Sequence, residues 1–183
     1  FQITVRNYNI APELIESFFN SMEMDLSNTA YNSNGYKNYI YGSAEVVGLM
    51  CLYVFCEGDK NMYSDLKPAA QALGAAFQKV NFLRDVKADY EQLNRSYFPE
   101  VDFRNFTPGM KKQIEEDITL DFENAYEGIL NLPVKARFGV YVAYKYYLSL
   151  FKKIKRTAPA NIMDQRIRIP NYGKAYIVAK AGL

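Results

Sequence analysis

Apolar residues recur at helical spacing along almost the whole chain. From Pro12 onward they form one broad face of an amphipathic helix that runs to Leu26, with the proline in its first turn. Residues 27–36 are rich in Asn, Ser and Gly and predict a loop, whereas residues 39–56 are largely apolar, as in a buried helix. The N-terminal part of the chain therefore predicts two helices separated by a loop.

The helical pattern continues through the rest of the chain. A long helix is predicted over residues 66–92, with Pro68 in its first turn, and an irregular connection over residues 98–109. Two more helices separated by a proline follow, then a loop around residues 158–161, a basic extended stretch and a short C-terminal helix. Because no alternating run is long enough for a sheet, we expect one all-α domain, residues 1–183, whose helices pack around a common interior.

Composition narrows the chemistry that such a domain can perform. The 183 residues include no histidine, which excludes imidazole acid–base catalysis, Ser-His and Cys-His nucleophilic pairs and His-ligated zinc. Cys51 and Cys56 lie in one apolar run, which is too short to cross a bilayer, and we expect them to be reduced core residues. The formal net charge of +2 gives no reason to expect nucleic acid as a partner.

One face of the long helix carries an unusual set of polar side chains. At about 100° per residue, four of them fall within an arc of roughly 80° that borders apolar positions: Gln78, Asn81, Asp85 and Asp89. The two aspartates are one turn apart, so they could bind hard cations and leave coordination positions for phosphate oxygens. Arg84 adds a fixed positive charge that can stabilise a leaving diphosphate. This face predicts a site for magnesium and a diphosphate.

An aspartate pair at this spacing is also common on solvated helix faces, so the amide and arginine neighbours are needed to indicate metal binding. A second pair, Asp117 and Asp121, lies among acidic residues without such neighbours, and we expect it on the surface. Only the first pair therefore predicts a site.

The same residues carry a resemblance to a known family. The spacing Q-x-x-N-x-x-R-D-x-x-x-D at residues 78–89, followed by R-x-Y-x-P at residues 95–99, resembles the second aspartate-rich motif of the squalene/phytoene synthase family. The block Y-I-Y-G-S-A-E-V-V-G at residues 39–48 resembles the family's tyrosine-led helix, except that Glu45 stands where glycine is usual.

Further stretches extend the resemblance over essentially the whole chain. Asp25 and Leu26 resemble an element that precedes the loop in the family. The stretches Y-Y-L-S-L-F-K-K-I and Q-R-I-R-I-P-N-Y-G-K resemble its closing tyrosine helix and basic segment, so Tyr147 and Arg166 match positions that face the diphosphate. The family's first aspartate-rich motif has no counterpart here, and we expect the chain to be the C-terminal portion of a longer enzyme and to be inactive alone.

The resemblance implies an isoprenoid-synthase-type helical bundle, here without its N-terminal helices, and a role for each matched residue. The implied metal ligands are Asn81, Asp85 and Asp89. The two aspartates would also be catalytic, and Tyr39 would line the cavity and steer the carbocation or the loss of a proton. The implied substrate-binding side chains are Gln78, Arg84, Tyr147 and Arg166.

The implied activity is the Mg²⁺-dependent, head-to-head condensation of two prenyl diphosphates. The first expectation is that two geranylgeranyl diphosphates give phytoene in carotenoid biosynthesis, as in the bacterial phytoene-forming members. Squalene or dehydrosqualene synthesis from farnesyl diphosphate is the near alternative, and NADPH would be needed only by a squalene synthase. A non-catalytic relative that uses the fold for binding or assembly is a further hypothesis, and a different magnesium-dependent terpenoid enzyme is a weaker one. We expect a cytoplasmic protein, with peripheral membrane association, prenyl chain length and oligomeric state left open.

Overall fold

A computed structural model of the chain describes residues 1–27, 31–93, 97–99 and 101–182. In this part of the chain the regular secondary structure is helical and no strand is present, so the prediction of an all-α fold is confirmed. The α-helices are, in chain order, α1 (Gln2–Tyr8), α2 (Pro12–Ser27), α3 (Ser33–Ile40), α4 (Val46–Phe55), α5 (Lys60–Leu93), α6 (Pro108–Asn131), α7 (Val134–Lys155), α8 (Pro159–Asp164) and α9 (Asn171–Ala181). None of the described helices is both long and apolar enough to span a bilayer.

Helix α5 forms the centre of the fold and contacts α3, α4, α6, α7 and α8. Its fully buried residues in the largest apolar cluster include Ala76, Val80 and Leu83. The helix begins at Lys60, earlier than the predicted residue 66, because the Asp59 carboxylate accepts a hydrogen bond of 2.9 Å from the backbone N–H of Met62. Pro68 therefore lies inside the helix, whereas the prediction placed it in the first turn.

Two predicted loops contain short helices. The loop predicted over residues 27–36 ends early, because the Asn32 side chain accepts a hydrogen bond of 2.8 Å from the backbone N–H of Gly35 and starts α3. Residues 28–30 of that loop lie outside the described residues. The loop predicted over residues 158–161 contains the start of α8. Both helices are too short to show a clear hydrophobic period, which is why the apolar pattern does not reveal them.

The buried helix predicted over residues 39–56 is interrupted by a π-helical segment, Tyr41–Glu45, between α3 and α4. This segment packs against α2 and α5 with almost no space between the backbones. A Cβ atom on Gly74 of α5 would lie 2.6 Å from the carbonyl oxygen of Ala44. Since only a hydrogen atom fits there, Gly74 allows the π segment to contact the helix that carries the predicted site.

Candidate active site

An apolar cavity of about 610 Å³ lies between the π segment and helices α4, α5, α6 and α7. Many of the residues that line it are small, among them Ala44, Gly48, Ala70, Gly74, Gly128, Gly139 and Ala143. Along α5 the cavity extends from Leu66 to Gln78, which is about 18 Å of helix. Gln78 is at the end of the cavity from which α5 continues to Asn81 and Asp85. The polar face predicted from the sequence thus begins in the cavity wall.

Two arginine side chains meet the carboxylate of Asp85. Arg84 donates from Nη2 to Oδ2 at 2.5 Å and from Nε to both carboxylate oxygens at 3.1 Å. Arg166, from the segment between α8 and α9, donates from Nη2 to Oδ2 at 3.3 Å and places Nε 2.6 Å from Oδ1. Two guanidinium groups surround one carboxylate, so the cluster keeps a positive charge that suits an anionic group such as a diphosphate.

Asn81 and Asp89 lie one turn before and one turn after Asp85 on α5. The Oδ1 atom of Asn81 is buried and has no hydrogen-bond partner in the described part of the chain. An unsatisfied buried oxygen of this kind costs about 1–3 kcal/mol, which a bound cation or a donor would recover. Asp89 borders a small recess that is also lined by Phe82 and Tyr97.

These oxygen atoms fit part of a magnesium shell. Carboxylate and amide oxygens are the ligand types that Mg²⁺ uses in proteins, and Asn81 Oδ1 is a buried oxygen that needs such a partner. Within the described ranges, no group of three or more Asp, Glu or Cys side chains is arranged to hold a metal ion. Mg²⁺ commonly keeps several waters and substrate phosphates as ligands, so a partial protein shell is compatible with it.

Tyr147 of α7 lies next to the arginine cluster, on the side of the cavity. Its ring stacks on Phe77, with 3.9 Å between ring centroids, and Phe77 lines the cavity. The pKa of Arg84 is raised, first by its hydrogen bond to Asp85 and further by the nearby hydroxyls of Tyr147 and Tyr146. Gln78 thus lines the end of the cavity, and the cluster of Arg84, Asp85, Tyr147 and Arg166 lies further along α5, beyond that end.

Tyr39 is not among the residues that line this apolar cavity, and its predicted role stays a prediction. It is buried in an aromatic cluster, with ring centroids 5.0 Å from Tyr31, 5.3 Å from Tyr97 and 5.9 Å from Phe82. Its hydroxyl donates a hydrogen bond of 3.0 Å to Asp25 Oδ2. Burial is the largest cause of a strongly raised Tyr39 pKa, and Tyr97 and Asp25 raise it further. These rings surround the Tyr39 ring inside the fold.

The second aspartate pair is not a solvated surface pair, so the prediction for Asp121 is wrong. The Lys79 ammonium lies 2.6 Å from Asp117 Oδ2 and 2.7 Å from Asp121 Oδ2. The exposed fractions of the side chains are 10% for Lys79, 17% for Asp121 and 52% for Asp117. Burial raises the pKa of Asp121, and Lys79 offsets part of that rise. Because Lys79 belongs to another helix, the residues around Asp121 in the sequence do not reveal this partner.

Glu45, which replaces the glycine of the family's tyrosine-led block, belongs to the same polar region. Its Oε2 accepts a hydrogen bond of 2.9 Å from Gln71 Nε2. Burial raises the pKa of Glu45, while the hydrogen bond from Gln71 and the charge of Lys79 lower it. Polar neighbours on α5 therefore accommodate the glutamate inside the fold.

Sequence reasoning gave no role to Asp25, Tyr97 or Lys79, although the structure places all three in polar or aromatic clusters beside α5. Asp25 and Tyr97 belong to the family-like motifs, which was the available signal, but their contacts with Tyr39 join separate segments of the chain. Arg95 of the R-x-Y-x-P motif lies outside the described residues.

Known proteins resemble this chain over most of its length. The squalene/phytoene synthase family model matches residues 1–173. The chloroplastic phytoene synthase of Daucus carota is 29% identical, over 94% of this chain and 46% of that protein. The phytoene synthase of Arthrospira platensis is 30% identical, over 87% of this chain and 59% of that protein. The chain thus spans about half the length of the curated relatives that it matches.

Solved structures share the fold at lower identity. A squalene synthase from Alicyclobacillus acidocaldarius has a TM-score of 0.72 at 18% identity, over 85% of this chain and 63% of that chain. A dehydrosqualene synthase in complex with ligand has a TM-score of 0.77 at 18% identity, over 99% of this chain and 68% of that chain. The prediction of an isoprenoid-synthase-type helical fold is confirmed. The family match over residues 1–173 shows that the chain belongs to the squalene/phytoene synthase family.

Proposed function

We propose that the protein performs the magnesium-dependent, head-to-head condensation of two prenyl diphosphates, with two geranylgeranyl diphosphates giving phytoene. The observation that carries the proposal is a carboxylate held by two arginines, that of Asp85, about two turns along α5 from Gln78, where the lining of the apolar cavity ends. Phytoene synthase is also the name of both curated relatives described above, although the matched regions cover only 46% and 59% of their lengths.

The cavity suits a prenyl chain. It follows α5 for about 18 Å and is lined mainly by aliphatic and small side chains, with Phe55 and Phe77 as aromatic walls. Aromatic ring faces stabilise a nearby cation without reacting with it. Cys51 also lines the cavity and is exposed there, so the prediction of a core position is wrong for Cys51, although it holds for Cys56. Partial desolvation raises the pKa of the Cys51 thiol, which keeps it protonated and weakly nucleophilic. The cavity can therefore shelter a reactive apolar substrate from water and from nucleophiles.

The arginine cluster would bind the diphosphate. Arg84 and Arg166 occupy both oxygens of Asp85, so a cation reaches this carboxylate only when a guanidinium group turns away from it. An incoming diphosphate offers oxygens to which both arginines can donate bidentate hydrogen bonds. Exchange of the arginines from Asp85 to the diphosphate would thus expose the carboxylate when the substrate arrives.

Magnesium, when bound, neutralises charge on the leaving diphosphate. The residues that would hold it are Asn81, Asp85 and Asp89. Gln78 would orient the substrate at the border between the diphosphate and its apolar chain, and Tyr147 would close the cavity beside Arg84. The raised pKa of Tyr39 keeps its hydroxyl protonated at neutral pH, so Tyr39 would act as a neutral donor whose acceptor is Asp25.

The test uses the complete gene product that contains this chain, with labelled geranylgeranyl or farnesyl diphosphate. We expect phytoene from the first substrate with Mg²⁺, and a loss of at least about 100-fold in kcat for Asp85→Asn, comparable to removing one preorganised electrostatic group. Asp65→Asn, at an exposed position on the same helix, is the matched control and should leave turnover unchanged.

Different products in this assay separate the competing functions. Dehydrosqualene or squalene from farnesyl diphosphate alone would replace the proposed substrate, and a requirement for NADPH would identify squalene formation. No product from either substrate, together with no D-x-x-x-D motif upstream in the gene, would favour a non-catalytic relative. Full activity of Asp85→Asn would contradict the proposed site.

A further inference from the structure

The positive charge of the chain is concentrated at its C-terminal end. Residues 151–183 contain eight basic residues and one acidic residue, Asp164, for a net charge of +7. Residues 1–150 contain 14 basic and 19 acidic residues, for a net charge of −5. The small net charge of the chain is therefore the sum of an acidic N-terminal part and a basic C-terminal part. The positive field of the C-terminal part can attract an anionic partner.

The eight basic side chains are all exposed: Lys152, Lys153, Lys155, Arg156, Arg166, Arg168, Lys174 and Lys180. In the part of the chain that the structure describes, Arg166 is the member of this set that pairs with a carboxylate, that of Asp85. The charge of the other seven is not neutralised by an ion pair there, so it is available to an external partner.

Helix α9 adds aromatic residues to this basic end. None of its residues is buried, and the helix packs with one side against α7. Tyr172 and Tyr176 are 81% and 64% exposed and lie four residues apart, which places them on one outer face. The Lys180 ammonium is 6.0 Å from the Tyr176 ring centroid, and Lys174 is also exposed. At about 100° per residue, Lys180 lies on the tyrosine side of α9 and Lys174 on the opposite flank, so the outward side of the helix carries the tyrosine rings and has a lysine on each flank.

We propose that this outer face of α9, with the exposed lysines around it, docks on an anionic lipid bilayer. Tyrosine has an apolar ring and a polar hydroxyl, so it is favoured at the level of the lipid headgroups. Lysines near an anionic bilayer add electrostatic attraction. A helix that lies flat on the surface places its outward tyrosines at the headgroups, and the long lysine side chains on its two flanks reach the same level.

The shape of this face favours a bilayer over a nucleic acid. Single-stranded nucleic acids bind in charged grooves in which aromatic rings stack on successive bases. Tyr172 and Tyr176 lie on the convex side of one helix, which suits a flat surface better than a flexible strand. The inference does not rest on the proposed enzymatic activity, because none of the α9 residues belongs to the Asp85 cluster.

The test is sedimentation of the 183-residue chain with vesicles of phosphatidylcholine that contain phosphatidylglycerol, compared with vesicles of phosphatidylcholine alone. We expect binding to the anionic vesicles that weakens as salt is added. The double variant Lys174→Gln/Lys180→Gln should lower the partition coefficient on the order of 20-fold, since each lysine contributes about fivefold near an anionic surface. Tyr172→Gln/Tyr176→Gln should lower it severalfold.

The matched control is Lys60→Gln/Lys67→Gln, which removes the same charge from exposed positions at the start of α5 and should leave binding within about twofold of the parent chain. Far-UV circular dichroism checks that each variant keeps its helix content. Equal binding by all variants, or no binding to anionic vesicles, would overturn the proposal. The proposal would also be overturned if the chain preferred single-stranded RNA to anionic vesicles and the α9 variants abolished that binding. A dimer in size-exclusion chromatography that the α9 variants disrupt would overturn it as well.

Discussion

Lys79→Met replaces the ammonium group between Asp117 and Asp121 with an apolar side chain of similar length. Removal of one partner of a buried ion pair costs about 3–5 kcal/mol, because the remaining charge stays desolvated. The Asp117 side chain is 52% exposed, so solvent screens its ion pair with Lys79 and that pair contributes little to stability. The Lys79 and Asp121 side chains are only 10% and 17% exposed, so their ion pair is screened much less. We therefore expect a loss near the lower end of that range, about 3 kcal/mol at pH 7.

The pH dependence of Lys79→Met follows from Asp121. Burial already raises the pKa of this carboxyl in the folded state, and loss of Lys79 raises it further. The folded variant therefore takes up a proton that the unfolded chain, with an ordinary aspartate pKa, still lacks. The stability of the variant relative to the parent chain should increase as the pH falls toward 4, and the difference at pH 7 should shrink.

Urea denaturation followed by circular dichroism at pH 7 and near pH 4 measures both effects. Lys112→Met is the control, since Lys112 forms an exposed pair with Glu116 at 3.7 Å and its loss should cost less than about 1 kcal/mol. Lys79→Met/Asp121→Asn should recover part of the loss by removing the stranded charge. Parent-like stability of Lys79→Met at pH 7, or the same loss at both pH values, would refute the reasoning.

Three further predictions concern single positions around α5. Glu45→Gln keeps an acceptor for Gln71 but removes a carboxylate whose pKa is raised by burial, so it should stabilise the fold at pH 7. The gain in stability should vanish below the ordinary glutamate pKa, where the carboxyl is protonated in both the folded and the unfolded chain. A difference in stability that stays constant across this pH range in denaturation experiments would contradict the prediction. Asp25→Ala removes one of the two hydrogen-bond partners of the buried Tyr39 hydroxyl, the other being Tyr97, and should cost about 1 kcal/mol in urea denaturation. A loss no larger than that of Asp65→Ala would argue against this hydrogen bond. Gly139→Leu narrows the cavity, since a Cβ there has no neighbouring atom within 4 Å, so it should weaken binding of a fluorescent prenyl probe without lowering stability. Unchanged probe binding would place the ligand elsewhere.

Hydrophobic periodicity predicts the helices that bury one long apolar stripe, and these define the fold. Helix α6 is an example: buried Ile114, Ile118, Phe122 and Ile129 recur at helical spacing. Helix starts that depend on one cap are predicted less well. Asp59 moves the start of α5 before Pro68, and Asn32 starts α3 inside a predicted loop. A single side-chain hydrogen bond decides these boundaries, and the apolar pattern contains no information on it.

In the candidate site, too, the sequence predicts the residues that are close along one helix but not the contacts between separate helices. Arg84 and Asp85 are adjacent, and helical spacing alone places Gln78, Asn81 and Asp89 on the face of Asp85. The contact of Arg166 with Asp85 spans 81 positions of the sequence and was expected only through the family resemblance. The pairing of Lys79 with Asp121 and the hydrogen bond from Tyr39 to Asp25 also join separate helices. Packing of whole helices determines these contacts, so local spacing does not predict them.

The central claim is that the polar face of α5 around Asp85 binds magnesium and a diphosphate at the end of the apolar cavity. Titration calorimetry with a non-hydrolysable thiodiphosphate analogue of geranylgeranyl diphosphate, using the complete gene product, tests it most directly. We predict binding that depends on Mg²⁺ and is at least about tenfold weaker for Asp85→Asn, since charge-assisted contacts contribute about 1.5–3 kcal/mol each. Equal affinity with and without Mg²⁺, and in Asp85→Asn, would contradict the claim.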